Sequence, residues 1–147
     1  MNPFEAMTDL GRWVPIEAPG DLGCWQLDRG DPDTEPPVYL VVPPGESLAD
    51  IDAPATAAVL AELPGRLADA RRAVAAAVAA DPVGFGAERP DTDAEADLPE
   101  LVFYPGRQWM IRFAVTALPG CGELGVAVEF TGDEVTAVVN LAGSQEL

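Results

Sequence analysis

The feature that most constrains the fold is a single helical region between two sets of strand-like segments. From Leu60 to Val78, apolar residues recur every three or four positions, which places them on one stripe of a helix. Pro64 interrupts the pattern, so we expect a short helix over about 54–63 and a second helix from Pro64 to Asp81-Pro82. The stripe consists of Leu60, Leu63, Leu67, Ala70, Val74, Ala77 and Val78.

Short strand-like segments precede the helical region. Segments 12–16 and 22–27 are separated by a loop that contains Pro19-Gly20, a composition typical of turns. The run 38–42, Val-Tyr-Leu-Val-Val, is β-branched and aromatic, and it ends at a Pro-Pro-Gly sequence. We expect 38–42 to be a strand buried on both faces.

Strand-like segments return after the helical region, and their period is clearer. A short segment, 101–104, is followed by 108–116, where apolar and more polar residues alternate as in a strand with one buried face. The same pattern continues in 124–130, and Gly132-Asp133 offers a tight turn into 134–141. We expect Val135, Ala137, Val139 and Leu141 to continue the apolar face.

This order of elements predicts an α+β fold in a single domain that spans 1–147. The N-terminal and C-terminal strands would form one antiparallel sheet, and the central helical region would pack on one face of it. A doubly wound parallel sheet needs helices on both faces, which one helical region cannot supply. The length of 147 residues also suits one domain.

The composition removes much of the usual catalytic chemistry. The chain has no His and no Lys, and its 25 Asp and Glu face 8 Arg, so the formal net charge is 8 − 25 = −17. Histidine is the common general base near neutral pH, and lysine is the common Schiff-base amine. We therefore expect a non-enzymatic protein. Nucleic acids and anionic membranes attract Lys and Arg clusters, so neither is an expected partner.

The acidic excess is concentrated in residues 81–100. This segment holds seven acids, Arg89 as its one basic residue, and three prolines, with no apolar period. We expect an exposed, mobile loop over about 81–100. Its candidate partner-binding residues are Asp91, Asp93, Glu95, Asp97 and Glu100. A second acidic group consists of Asp28, Asp31, Asp33 and Glu35.

Metal binding is a further possibility for the same acidic residues. Segment 91–95 has the alternating ligands of a calcium-binding EF-hand loop, but Ala96 replaces the required Gly and Val102 stands where the closing Glu belongs. We therefore expect neither a metal nor a cofactor.

Cys24 and Cys121 form no paired metal motif, so reduced thiols are expected, and a disulfide between them stays possible.

The charge has several explanations. Solubility, adaptation to high salt and GC-rich coding need no partner, whereas an acidic surface can also steer a basic protein to its site. The leading hypothesis is a binding protein that neutralises a basic partner such as a toxin or nuclease. The alternative is a small-molecule or ion-binding module with its pocket between helix and sheet.

The longest uncharged apolar run, 73–80, is too short to span a bilayer, and the N-terminus lacks a secretory signal, so a cytoplasmic protein is expected. The oligomeric state stays open.

The C-terminal third carries a resemblance. The segments Trp109–Phe113, Leu118–Phe130 and Val135–Leu141 resemble small uncharacterised bacterial α+β proteins, some of which look like immunity proteins of polymorphic toxin systems. The similar positions belong to strands and turns, and no catalytic residue is carried over. The resemblance implies a non-enzymatic protein that blocks a toxin by binding it.

Overall fold

The structure is a computed structural model that describes residues 12–17, 20, 22–28, 36–47, 50–118, 120 and 125–141. Within these ranges it contains seven strands and two helices in the order that the sequence predicts, so an α+β fold is confirmed. The elements are β1 (Arg12–Pro15), β2 (Gly23–Asp28), β3 (Val38–Val42), α1 (Ala53–Ala61), α2 (Leu63–Ala80), β4 (Asp97–Phe103), β5 (Gln108–Val115), β6 (Val126–Thr131) and β7 (Glu134–Asn140).

The seven strands form one sheet whose spatial order follows the chain from β1 to β7. Neighbouring strands are antiparallel except for β3 and β4, which run parallel with Val38 beside Leu101 and Leu40 beside Phe103. The expectation of a purely antiparallel sheet is therefore wrong at this pair. The physical reason is that α1 and α2 carry the chain back across the sheet, so β4 starts from the same end as β3.

Two consecutive helices connect β3 to β4. The Asp52 side chain accepts a hydrogen bond from the backbone N–H of Ala55 at 3.0 Å and caps α1. Glu62 separates the helices, and Pro64 lies in the first turn of α2, where its missing N–H costs no helical hydrogen bond. The predicted pair of helices with a break near Pro64 is thus confirmed. The buried residues of α2 are Leu63, Ala70, Val74 and Val78.

One face of the sheet, called the covered face below, packs against the helices and forms the core. Trp109 lies at its centre and stacks on Phe103, with ring centroids 5.6 Å apart, and on Phe130 at 4.1 Å. Phe113 is fully buried, and the Arg71 guanidinium carbon lies 5.3 Å from its ring centroid. The apolar stripe of α2 therefore covers a continuous aromatic and aliphatic surface.

The opposite face is called the second face below, and strand register defines it. Val102 and Ala127 are buried, yet they lie outside the core cluster that the helices complete. In β3, Val38, Leu40 and Val42 are buried whereas Tyr39 and Val41 are half-buried, so the expectation of a strand buried on both faces is wrong. Both described helices pack against the same side of the sheet. Besides Val102 and Ala127, the second face includes Cys24, Gln26, Tyr39, Val41, Glu100, Met110, Arg112, Ala114, Glu129, Ala137 and Val139.

The last strand divides its apolar residues between the two faces. The register shifts by one residue between Glu129 and Phe130, which is a β-bulge. Val138 then pairs with Val128 and packs against the core, while alternate positions point the other way. The prediction that Val135, Ala137, Val139 and Leu141 share one apolar face is therefore wrong, since Ala137 and Val139 pair with Glu129 and Ala127 on the second face.

Candidate functional site

The predicted acidic loop follows α2, and its irregular part ends at Ala96 because Asp97 to Glu100 already belong to β4. Within it, Asp91, Asp93 and Glu95 are exposed, and Asp97 at the start of β4 is exposed too. These four residues form what we call the acidic ridge. Four of the five acids that the sequence predicts to bind a partner in this segment are thus exposed on one stretch of the chain.

The backbone of this loop is attached to the rest of the domain at several points. Ala94 is buried, and its carbonyl oxygen accepts a hydrogen bond from the Ala117 N–H at 2.7 Å. Arg71 of α2 donates through Nε to the Ala96 carbonyl at 3.4 Å. At the other end of the loop, the Asn140 side chain donates to the Gly84 carbonyl at 2.8 Å. The loop is therefore held against both α2 and the sheet.

Two of the ridge carboxylates are oriented by the backbone. Asp93 accepts a hydrogen bond from the Glu95 N–H at 2.9 Å, and Asp97 accepts one from the Leu98 N–H at 2.8 Å. Glu95 and Leu98 themselves adopt left-handed backbone angles, with φ of 47° and 51°, a conformation that is uncommon for residues other than glycine. Because a carboxylate accepts at two oxygens, each of these bonds leaves one oxygen for a partner. The ridge also borders a cleft of about 300 Å³ between 90–96 and α2.

Nearby cations neutralise little of the ridge. Arg89 lies 3.5 Å from Asp91, and both side chains are more than 70% exposed (74% and 79%), so their attraction is weak in water. Arg71 also lines the cleft, but its guanidinium lies over the Phe113 ring. The ridge consequently keeps most of its negative charge.

The fifth predicted acid of this segment points elsewhere. Glu100 pairs with Arg112 across β4 and β5 at 3.0 Å, and both side chains are only about a quarter exposed (26% and 27%). The pair lies on the second face. Of the other predicted acids, Asp28 ends β2, while Asp31, Asp33 and Glu35 lie outside the described residues.

A second concavity, called the arginine cleft below, lies between the helices and the turns that follow β4 and β6, with a volume of about 250 Å³. Arg66 lines it with a side chain only 14% exposed, whose Nη2 contacts Asp133 at 2.7 Å and Glu62 at 3.2 Å. Its Nε atom is buried and has no hydrogen-bond partner among the described residues. Phe103, Tyr104 and Trp109 add an aromatic side to this cleft.

Arg107 lies on the other side of the arginine cleft. Its guanidinium packs so closely against Gly132 that a methyl group there would collide with it, and Gly132 has a left-handed φ of 60°. In the part of the chain that the structure describes, no ion pair involves Arg107. Sequence reasoning missed this site because Arg66, Arg107 and Gly132 come from three distant segments, and no local pattern joins them.

Cys24 and the carboxylates of 91–95 are the other chemical groups that the sequence analysis considers. Burial raises the pKa of the Cys24 thiol above its ordinary value, so the nucleophilic thiolate is scarce near neutral pH. Across the described ranges, no group of three or more thiols and carboxylates is placed to hold a metal ion.

Comparisons of the chain with protein-family models, with curated proteins and with solved structures find no match. Neither helix of the described chain combines the length and the apolar character that crossing a membrane requires. What the protein does must therefore be inferred from its own geometry and charge.

Proposed function

We propose that this protein is a non-enzymatic, cytoplasmic binding protein that captures a basic protein partner, as an immunity protein captures a toxin or nuclease. The observation that carries the proposal is the acidic ridge, in which Asp91, Asp93, Glu95 and Asp97 are exposed on a backbone anchored to α2 and to the sheet. A cationic side chain of the partner would enter the adjoining cleft.

The anchoring matters for affinity. A flexible acidic tail loses conformational freedom when it binds, and that loss subtracts from the binding free energy. Here the Ala94–Ala117 and Arg71–Ala96 hydrogen bonds hold the loop before any partner arrives. The ridge therefore needs little ordering on binding, and its charge speeds the encounter with a cationic surface.

The same charge opposes other classes of macromolecule. DNA, RNA and anionic lipid surfaces are polyanions that bind clusters of Lys and Arg. The chain has a net charge of −17, and the ridge adds local repulsion. A basic protein is the partner class that this electrostatic pattern favours.

The proposal is tested by removing the ridge charge without changing its shape. A triple variant with Asp91→Asn, Asp93→Asn and Glu95→Gln keeps the side-chain sizes, and the amide oxygen introduced at position 93 would still accept the hydrogen bond from the backbone N–H of position 95. The control triple, Glu17→Gln, Glu46→Gln and Glu134→Gln, removes the same charge from exposed residues elsewhere. The association rate with a fluorescent arginine- and lysine-rich peptide is measured by stopped flow at several salt concentrations. The ridge variant should associate about tenfold more slowly than the control, with a shallower salt dependence.

Equal rates for the two triple variants would mean that only total charge matters, and the ridge would lose its assignment. A ridge variant that binds as fast as the wild type would reject it as well. Circular dichroism of both variants establishes that the fold is retained.

A second candidate function is a small-molecule binding module at the arginine cleft. The observation in its favour is the Arg107 guanidinium, which has no described ion pair and lies beside the aromatic side chains of the cleft. A ligand with a carboxylate or phosphate group and a flat apolar body would suit these groups. Thermal-shift assays with aromatic carboxylates and phosphates should show stabilisation that Arg107→Gln removes. No shift at millimolar ligand would reject this candidate.

A further inference from the structure

We infer that the outer edge of β7 accepts an added strand from a basic protein, in a segment where Lys or Arg alternates with small apolar residues. This inference goes beyond the proposed function, since it concerns an edge of the sheet and not the acidic ridge. It rests on the outward-facing backbone of β7, on the alanine flank of α2 beside it, and on two exposed acids.

β7 is the last strand of the sheet, and among the described strands it pairs only with β6. Next to this pair, the Leu141 N–H donates to the Gly125 carbonyl at 3.1 Å. Backbone groups alternate in direction along an antiparallel strand. Those of Ala137 and Val139 therefore face β6, and the N–H and C=O of Val138 point away from it. Another extended segment can pair with backbone groups that point outward in this way.

The two edges of the described sheet differ in the features that discourage such pairing. β1 is four residues long and contains Arg12 and Pro15, and short length, charge and proline all protect an edge. β7 is seven residues long, contains neither proline nor glycine, and has Glu134 as its one charged residue. All apolar residues of β6 are buried, whereas those of β7 are half-buried or exposed. An added strand would complete the burial of β7.

The helix that packs over this edge leaves room for the side chains of an added strand. α2 lies over β6 and β7, and Arg66 on one of its flanks contacts Asp133 in the turn between these strands. Helical spacing places Ala73 and Ala77 on the same flank as Arg66, and both alanines are only partly buried against the core. Small apolar side chains opposite Val138, on the covered face, would fit beside these alanines.

The charges near the edge favour a basic strand over a second copy of this chain. Glu129 and Glu134 are exposed on the second face, and the β7 residue beside Glu129 is the small Ala137. A Lys or Arg on that face of the added strand would lie two strand spacings, about 10 Å, from Glu129, and its long side chain can extend across Ala137. β7 has no basic residue and each copy carries −17, so two copies would repel each other.

The test uses a fluorescent peptide of about ten residues that alternates Lys with Val or Thr, the residue types that favour strands. The control peptide has the same sequence, but two adjacent central backbone nitrogens are methylated, which removes hydrogen-bond donors and leaves the charge unchanged. Fluorescence anisotropy with the full chain measures both affinities. The unmethylated peptide should bind about tenfold more tightly, and it should slow hydrogen exchange within 136–140.

Two variants test whether the peptide binds at β7. Val138→Pro removes an N–H that points outward, a position where an edge strand tolerates proline, and should lower the affinity about tenfold. Glu129→Gln should weaken binding about threefold. Its matched control, Glu46→Gln, removes the same charge from an exposed loop residue and should leave the affinity nearly unchanged. Circular dichroism shows whether Val138→Pro keeps the fold, and the methylated peptide and Glu129→Gln test the inference in either case.

Equal affinity for the two peptides would overturn the inference, and so would binding that the triple variant of the ridge abolishes and Val138→Pro preserves. Dimerisation through β7 in sedimentation velocity, without peptide binding, would overturn it as well, because a second copy would then occupy the edge. The arginine- and lysine-rich peptide that tests the ridge would place cations against the alanine flank of α2, so it should not pair with β7. The ridge and the edge can therefore fail independently.

Discussion

The two faces of the sheet are built from the same strands and yet meet different surroundings. On the covered face, Phe113, Ile111 and Val128 are completely buried beneath the helices. On the second face, Tyr39 and Met110 are half-buried and surround the Glu100–Arg112 pair. The acidic ridge lies on neither face, because it follows the loop after α2 and the first residue of β4.

This difference shows how a very acidic chain can keep an extensive core. Most of the described acids lie in loops and at strand ends, where water and salt screen their charge. The strand positions buried on the covered face hold no acid, whereas the second face, which the described helices leave uncovered, carries Asp28, Glu100, Glu129 and Glu134. The contrast between the two faces is a property that substitutions can probe.

The largest expected contrast between the faces is in stability, and β3 offers a matched pair within one strand. Val38→Ala removes two methyl groups from a completely buried site and should lower the free energy of unfolding by about 2–3 kcal/mol. Val41→Ala makes the same change at a half-buried site on the second face and should cost about 1 kcal/mol. Urea denaturation at low protein concentration measures both, and equal losses would erase the distinction between the faces.

An intermediate effect is expected at alkaline pH, because Tyr39 lies on the second face and the Tyr104 hydroxyl donates to the Met110 Sδ atom of the same face at 3.8 Å. Burial is the main cause that raises the pKa of each phenol. The negative charge of Glu100 raises the pKa of Tyr39 further, and that of Glu129 raises the pKa of Tyr104 further. The ordinary pKa in the unfolded chain is about 10, so the unfolded state loses its phenolic protons first. Stability is therefore fully present below about pH 10 and falls as pH rises above it.

Urea denaturation between pH 8 and pH 11 should show this loss, and a variant with Tyr39→Phe and Tyr104→Phe should show a smaller one. Tyrosinate absorbance at 295 nm should also rise at higher pH in the folded wild type than in urea. Coincident titrations of the folded and unfolded chains would contradict burial of this face.

The smallest expected effect concerns Cys24, which lies beside Val41 on the second face. Burial raises the pKa of its thiol, so a Cys121→Ser variant should react with Ellman's reagent at pH 8 more slowly than glutathione, by roughly threefold to tenfold. Addition of urea should remove the difference. A thiol as reactive as glutathione in the folded protein would indicate that this end of the face is open.

Local patterns in the sequence were sufficient to predict most of the elements. The alternation in 108–116 and the helical stripe with its break at Pro64 correspond to β5, α1 and α2. The Gly132-Asp133 turn joins β6 to β7, with Thr131 paired to Glu134. These features depend on residues close together in the chain, whose spacing determines secondary structure directly.

The features that the sequence could not predict depend on long-range pairing. The parallel β3–β4 contact follows from the path of the helices, and the bulge at Glu129 follows from how β7 aligns with β6. Glu100 is close to the acidic loop along the chain, but the register of β4 places it beside Arg112, with which it forms an ion pair. The arginine cleft likewise joins segments that are distant along the chain.

The most direct test is hydrogen–deuterium exchange with and without the arginine- and lysine-rich peptide, at a protein concentration that keeps the chain monomeric. If a basic partner binds at the acidic ridge and not at the second face, exchange should slow only within about 88–98. Exchange in β3, β5 and β6 should then be unchanged. Protection of β3 and β5, with no change in 88–98, would show that the ridge is not the binding surface.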